Sequence, residues 1–471
     1  RTWLSVPDTD LDLAGVRARL ILVSILEGSV PRAREELSQF AKLHKEARGW
    51  FGGAEANYAA ALAALIAESA QWPKPQPGPD WPTFAGSLLR TKTAPRLVDV
   101  SGVAWRAKLR PPAPADRPVW GGLQVPDRVA DDPNNPLSYY PVVVGDLVLV
   151  NNLVEVLAFD LRTGRAAWGH DRPVIYEDQF DEDVRKSYVP PDSLGVPRFT
   201  MTVMGDRLYA RMGPAPTSRA REFTGLAASG YLVCLDLSAE GRLVWKITPE
   251  AGWAFDGSPV ADASSVYVAM RRSDIQPHLY VACFESETGQ LRWRQSVCAA
   301  DTPAQAMRSE ITHTLLTLHR DTLYVNTNLG AVAALAARDG RVLWVSLYPR
   351  VLEGDLARPA PHLSRDLTPC LYDRGLLLVA PADSRHVFAV EAATGQVLWQ
   401  TGPEVEDVVH LLGVSGETLI ASGNKVYWIS LKEGEQGRVR HAWPDGRERL
   451  GHGRGILAGD CVLWPTREKI Y

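Results

Sequence analysis

The sequence has no Cys-x-x-Cys and no adjacent cysteine pair; its five cysteines, Cys234, Cys283, Cys298, Cys370 and Cys461, are scattered over 471 residues. A zinc ribbon or a thioredoxin-type centre is therefore excluded, and the cysteines read as single residues buried in strands. There is no basic excess either: 51 Lys+Arg face 55 Asp+Glu, a formal charge of −4. A sequence-blind nucleic-acid binder needs surplus cations to neutralise phosphates. The longest apolar runs, 20–26 and 59–67, are shorter than the roughly 18 residues a membrane-spanning helix requires. Gly-x-Ser-x-Gly, His-Glu-x-x-His and phosphate-loop patterns are missing, so hydrolase, zinc-peptidase and nucleotidase readings have no motif.

What is present is ordinary globular material, 45% apolar and 23% charged, with 15 Trp, 38 Gly and 34 Pro. The length suggests about three domains. The chain opens on Arg1 and stops at Tyr471 within Glu468-Lys469-Ile470-Tyr471. That tetrapeptide reads as the start of a strand, and the chain reads as a fragment or processed piece.

Residues 1–72 form a region of their own. Leu13, Val16, Leu20 and Val23 recur at helical spacing over 11–27, and Gly28-Ser29 ends the run. Pro31 suits a first helical turn. Leu37, Phe40, Ala41 and Leu43 then mark a helix over 34–47, and Gly52-Gly53 opens a third over about 55–69. The region resembles a tetratricopeptide-type or similar helical-repeat unit. Two readings stay open, an interaction surface and a packing or spacer element. Alternating prolines follow over 73–79, which favours a stiff polyproline II linker at 73–80.

From 81 onward the sequence repeats itself. Ala158-Phe-Asp-Leu-Arg-Thr-Gly164-Arg-Ala-Ala-Trp168 returns in segments ending Gly241…Trp245, Gly289…Trp293, Gly340…Trp344 and Gly395…Trp399, and in degenerate form up to Trp443. Successive tryptophans lie 77, 48, 51, 55 and 44 residues apart, a blade-sized period with one insertion. Each copy follows a strand pair joined by a tight turn, as in Pro141-Val-Val-Val-Gly-Asp-Leu-Val-Leu-Val150, and a further pair begins at Gly455. One four-stranded sheet cannot bury both faces, whereas a ring of such sheets can. The predicted fold is mainly β: a seven- or eight-bladed propeller over 81–471, its last blade incomplete and its seam open, preceded by a small helical segment. In it Trp105, Trp168, Trp245, Trp293, Trp344, Trp399 and Trp443 wedge between blades, and Gly164, Gly241, Gly289, Gly340 and Gly395 shape the hairpins.

The Ala-x-Asp-x-x-Thr-Gly-x-x-x-Trp pattern, with Asp80-Trp-Pro-Thr-Phe-Ala-Gly86 and Val103-Ala-Trp105 before it, resembles the tryptophan-docking repeat of pyrroloquinoline-quinone-type propellers. It is also similar to their non-enzymatic BamB-type relatives in outer-membrane β-barrel assembly. One branch of that resemblance implies a quinoprotein dehydrogenase for alcohols or sugars, with pyrroloquinoline quinone held by Ca²⁺ and an Asp base. No residues here map onto those ligands. The other implies a scaffold without cofactor, metal or catalytic residues. It would bind protein or peptide partners in the periplasm or cell envelope, meeting the membrane through a partner. This second branch is the expectation carried forward. Asp256, Glu310 and Asp366 each precede a blade's first strand and are the candidate binding residues, carboxylates at one mouth of the channel that would draw basic peptides or cations. The acidic run at 177–183 lacks the spacing of a calcium loop. Asn326 and Asn328 read as turn residues, and His313 and His319 lack further metal ligands.

Overall fold

The computed structural model describes residues 11–26, 30–51, 54–69, 80–95, 102–107, 109, 139–152, 155–178, 199–213, 230–273, 277–300, 313–351, 362, 365, 369–446, 451, 453–466 and 469–471. The chain divides into two compact units, Arg1–Gly78 and Pro79–Tyr471. The linker read at 73–79, Glu310 and Asp366 lie outside the described residues.

In the first unit three helices, α1 (Leu13–Leu26), α2 (Val30–Leu43) and α3 (Tyr58–Ser69), close over Ala18, Ile21, Ile25, Phe40, Tyr58, Leu62 and Ile66. Asp12 starts α1 by accepting the Gly15 N–H at 2.9 Å. Two sequence expectations are corrected. The stripe of Val16, Leu20 and Val23 is exposed, because α1 carries a second apolar stripe through Ala14, Ala18, Ile21 and Ile25 that faces the other helices. Arg48–Phe51 pairs antiparallel with Ala54–Asn57, where the sequence places the start of a third helix at about residue 55. The helix begins only at Tyr58, where Asn57 caps it by accepting from Ala60 N at 3.0 Å.

The second unit is a β-propeller. Blade 1 is built from Val142–Val144, Leu147–Asn151, Glu155–Asp160 and Val174–Glu177. Blade 2 comprises Met201–Met204, Arg207–Met212, Tyr231–Asp236 and Arg242–Ile247. In blade 3, Trp253–Phe255 and Val260–Ala261 both pair with Ser265–Ser273, followed by Pro277–Glu285 and Leu291–Ala299. Blade 4 comprises Thr317–His319, Thr322–Asn326, Ala331–Ala336 and Val342–Leu347. Blade 5 comprises Leu371–Asp373, Leu376–Val379, Phe388–Glu391 and Val397–Gln400. Blade 6 comprises His410–Ser415, Thr418–Ser422, Val426–Ser430 and Val439–Trp443. A seventh sheet, Ile456–Ala458 with Cys461–Leu463, is two-stranded among the described residues. Every pairing within the blades is antiparallel, and the middle strands are buried on both faces, as in Tyr231–Asp236. All five cysteines are free; Cys234, Cys283 and Cys370 are buried.

Candidate interaction site

The blade repeats meet in a staggered order. A Cβ on Gly164 would lie 2.4 Å from the indole of Trp105, whose Nε1 donates to Leu161 O at 2.9 Å. Gly289 lies against Trp245, Gly340 against Trp293, Gly395 against Trp344 and Gly437 against Trp399. Three of these indoles donate to a carbonyl of the following hairpin: Trp245 to Ser286, Trp293 to Ala337 and Trp344 to Ala392, at 2.9–3.1 Å. Each tryptophan thus reaches the hairpin of the next blade.

Trp168 and Gly241 do not meet. In blades 2 to 5 the docking tryptophan sits directly across from the small residue that opens the motif, as Trp344 does from Ala334. In blade 1 the chain turns at Trp168 and Gly169, with φ of 54° and 78°. The outer strand resumes at Val174, leaving Trp168 38% exposed. Ile175 fills the place against Gly241, 2.8 Å from where its Cβ would be. Trp443 packs edge-on against Trp464 and Tyr471, with ring centroids 6.0 and 4.7 Å apart.

In blades 1, 2, 3 and 5 the acidic residue of the motif, Asp160, Asp236, Glu285 or Glu391, accepts within its own hairpin. Asp160 accepts from the Thr163 N–H and hydroxyl, both at 2.7 Å, and these donors hold its carboxyl below the usual range. Asp236 does the same with Ser238 and also pairs with Arg207 at 2.7 Å.

Inside the ring, residues 80–95 run across the blades' first strands near the turns that end them. Trp81 pairs with Val143 of blade 1, and Pro82 O accepts from Val203 of blade 2 at 2.8 Å. Leu88 O accepts from Leu318 of blade 4 and Leu89 O from Tyr372 of blade 5, both at 3.1 Å. Ala94 pairs with Leu457 and Gly459 of the seventh sheet. Arg90, fully buried, donates to Leu316 O, Thr83 Oγ1 and Phe84 O at 2.7–3.1 Å. Burial lowers its pKa to about 9.

At the opposite ends of the first strands the buried charges are engaged with one another or with backbone. Asp256, a predicted mouth carboxylate, is fully buried rather than solvent-facing. Its Oδ2 accepts from Arg271 at 3.1 and 3.3 Å and from Thr314 Oγ1 at 2.9 Å. Asp383 accepts from Arg350 and from Tyr348 OH, both at 2.7 Å. Arg365 spreads its guanidinium over carbonyls of 381–386 and 405–408, including Ser384 and Val405 at 2.8 Å. Arg211 donates to Gly213 O at 2.8 Å and Phe255 O at 3.2 Å. His313 Nε2 lies 3.3 Å from both Thr200 Oγ1 and Ser258 Oγ. His319 stacks on Tyr372 at 3.9 Å, and Asn328 Oδ1 accepts from Asn326 and from Ala382 N.

Calcium takes about six to eight oxygen ligands. The buried Asp256 and Asp383 are already taken by arginine, and no three His, Cys, Asp or Glu converge among the described residues. Asp256 and Asp383, so paired, do not offer their carboxylates to a calcium ion.

Sequence reasoning marked 80–86 by resemblance but not its path across the blades, and it missed the buried arginines and Ile175. Arg90 and Arg365 look like solvated surface residues until the chain is folded, and no spacing marks them.

Residues 228–463, half of the chain, match the family described as outer membrane protein assembly factor BamB. The chain belongs to that family. No curated protein sequence matches it. Solved structures to which it is similar include BamB from Moraxella catarrhalis, at 15% identity and a TM-score of 0.42, over 69% of this chain and 78% of that one. Quinohemoprotein alcohol dehydrogenase from Comamonas testosteroni is similar at 17% identity and a TM-score of 0.45, over 75% of this chain and 58% of that one. The corresponding enzyme ADHIIG from Pseudomonas putida HK5 gives 12% identity and a TM-score of 0.42, over 83% and 76%.

Proposed function

We propose that the protein is a non-catalytic propeller that binds protein partners in the bacterial cell envelope, in the manner the name of its family describes for BamB. The observation that carries this reading is the engagement of the interior charges. Arg90, Arg211 and Arg365 are solvated by backbone carbonyls, and Asp256 and Asp383 are paired with Arg271 and Arg350. The carboxylates and most of the guanidinium donors are thereby occupied, Arg271 Nη1 and Arg350 Nη2 excepted, which leaves the interior little to offer a small ligand. Binding capacity then resides in the loops and outer strands. Membership of the BamB family supports the envelope and a protein partner, and no helix among the described residues is long and apolar enough to cross a membrane.

Chemical cross-linking in intact cells followed by envelope fractionation tests the proposal. The expected result is discrete protein adducts of the chain in the envelope fraction. Recovery of the chain free of adducts, outside that fraction, contradicts it.

A further inference from the structure

The outer strands of the blades differ in how they guard their free edges. Charged residues stand on Arg242–Ile247 (Arg242 and Lys246), on Leu291–Ala299 (Arg292 and Arg294), on Val439–Trp443 (Arg440) and on Val174–Glu177 (Glu177). Val397–Gln400 is uncharged but only four residues long. Charges and shortness are the usual protections of an edge strand. Val342–Leu347 of blade 4 has neither: it is six residues of Val-Leu-Trp-Val-Ser-Leu. It pairs with Ala331–Ala336 on one side, and no described strand pairs with the other. Trp344 turns towards Gly395 of blade 5. The alternate residues Leu343, Val345 and Leu347 are 41%, 45% and 78% exposed and form a row on the opposite face.

We infer that this edge pairs with the same edge of a second copy of the chain, antiparallel across a two-fold axis centred on Val345. Such an interface is self-complementary. It sets Val345 opposite Val345 of the partner copy, and Leu343 of each copy opposite the other's Leu347. Directly opposed antiparallel residues share a sheet face, so the two apolar rows become one. Charge decides the occupant. The same operation on Leu291–Ala299 or Arg242–Ile247 would bring like charges across from one another, which opposes pairing. On Val342–Leu347 it brings none. This goes beyond the proposed binding function and stands or falls separately from it.

Sedimentation velocity of the full chain across a broad concentration range tests the inference, with circular dichroism confirming that each variant is folded. The wild-type chain is expected to show a concentration-dependent dimer. Val345→Lys, which opposes two ammonium groups, is expected to weaken it at least about tenfold, or about 1.4 kcal/mol. Leu347→Lys, at the most exposed position, is expected to weaken it too. Mixing the V345K and V345E chains is expected to restore association, because the two opposed residues then attract. A chain that is monomeric at every concentration overturns the inference and leaves the edge to a different strand. A dimer indifferent to both lysine variants, or a mixture that fails to reassociate, overturns it as well.

Discussion

The indole of Trp344 lies where a side chain on Gly395 would have to be: a Cβ there would stand 2.6 Å from the ring, on a backbone held at φ +80°. Gly205 has a similar conformation, φ +58°, with nothing within 4 Å. Gly205→Ala therefore carries only the left-handed backbone cost, about 1 kcal/mol. Gly395→Ala carries that cost plus displacement of the indole, about 3 kcal/mol in all. Urea denaturation of the two variants measures the difference, and equal losses would show that the tryptophan contact contributes nothing.

The two kinds of tryptophan separate by the same measurement. Trp344 donates to Ala392 O and packs on the next blade, so Trp344→Ala is expected to cost about 3–5 kcal/mol. Trp168 is 38% exposed on its turn, and Trp168→Ala is expected to cost less than about 1 kcal/mol.

Asp256 and Arg271 are a closed pair, 0% and 5% exposed. Replacing Asp256 by Asn leaves a buried guanidinium without its counter-ion, an expected loss of about 3–5 kcal/mol. Asp256→Leu combined with Arg271→Met removes both charges and is expected to regain most of it. A double variant no more stable than Asp256→Asn alone would show that the polar network, not the charge balance, matters there.

His362 is buried beside Arg365, and burial together with that positive charge lowers its pKa below 6.5. Below pH 6.5 the unfolded chain takes up a proton that the folded chain resists, so stability falls as pH falls below about 6.5. Nearby Glu406, 3.2 Å away, only partly offsets this. Urea midpoints of His362→Gln are expected to be flatter with pH than those of the wild type below about pH 6.5. A slope unchanged by the substitution would assign the pH dependence elsewhere.

The ring was legible because its sequence signal is local. The hairpin glycine and, in blades 2 to 5, the small residue opposite the tryptophan fall within a dozen residues of one another and recur from blade to blade. Blade 1 shows the limit of that signal. Its motif reads like the others, yet six residues after the hairpin move the strand start to Val174 and hand the contact with Gly241 from Trp168 to Ile175. In α1 two apolar stripes compete, and only the positions of α2 and α3 decide that Ile21 and Ile25 are buried while Leu20 and Val23 are not. The interior charges were illegible because their partners are distant in sequence, as with Arg90 and Leu316 or Asp256 and Thr314. Asp256 precedes a strand, as the sequence indicates, but its neighbours turn it into a buried ion-pair member.

Calorimetric titration of the purified chain with pyrroloquinoline quinone in the presence of Ca²⁺, coupled to a dye-linked assay of alcohol and sugar oxidation, tests the scaffold account most directly. The account predicts neither binding heat nor turnover from a chain shown to be folded. Stoichiometric binding with dye reduction would contradict it and make the propeller a quinoprotein dehydrogenase.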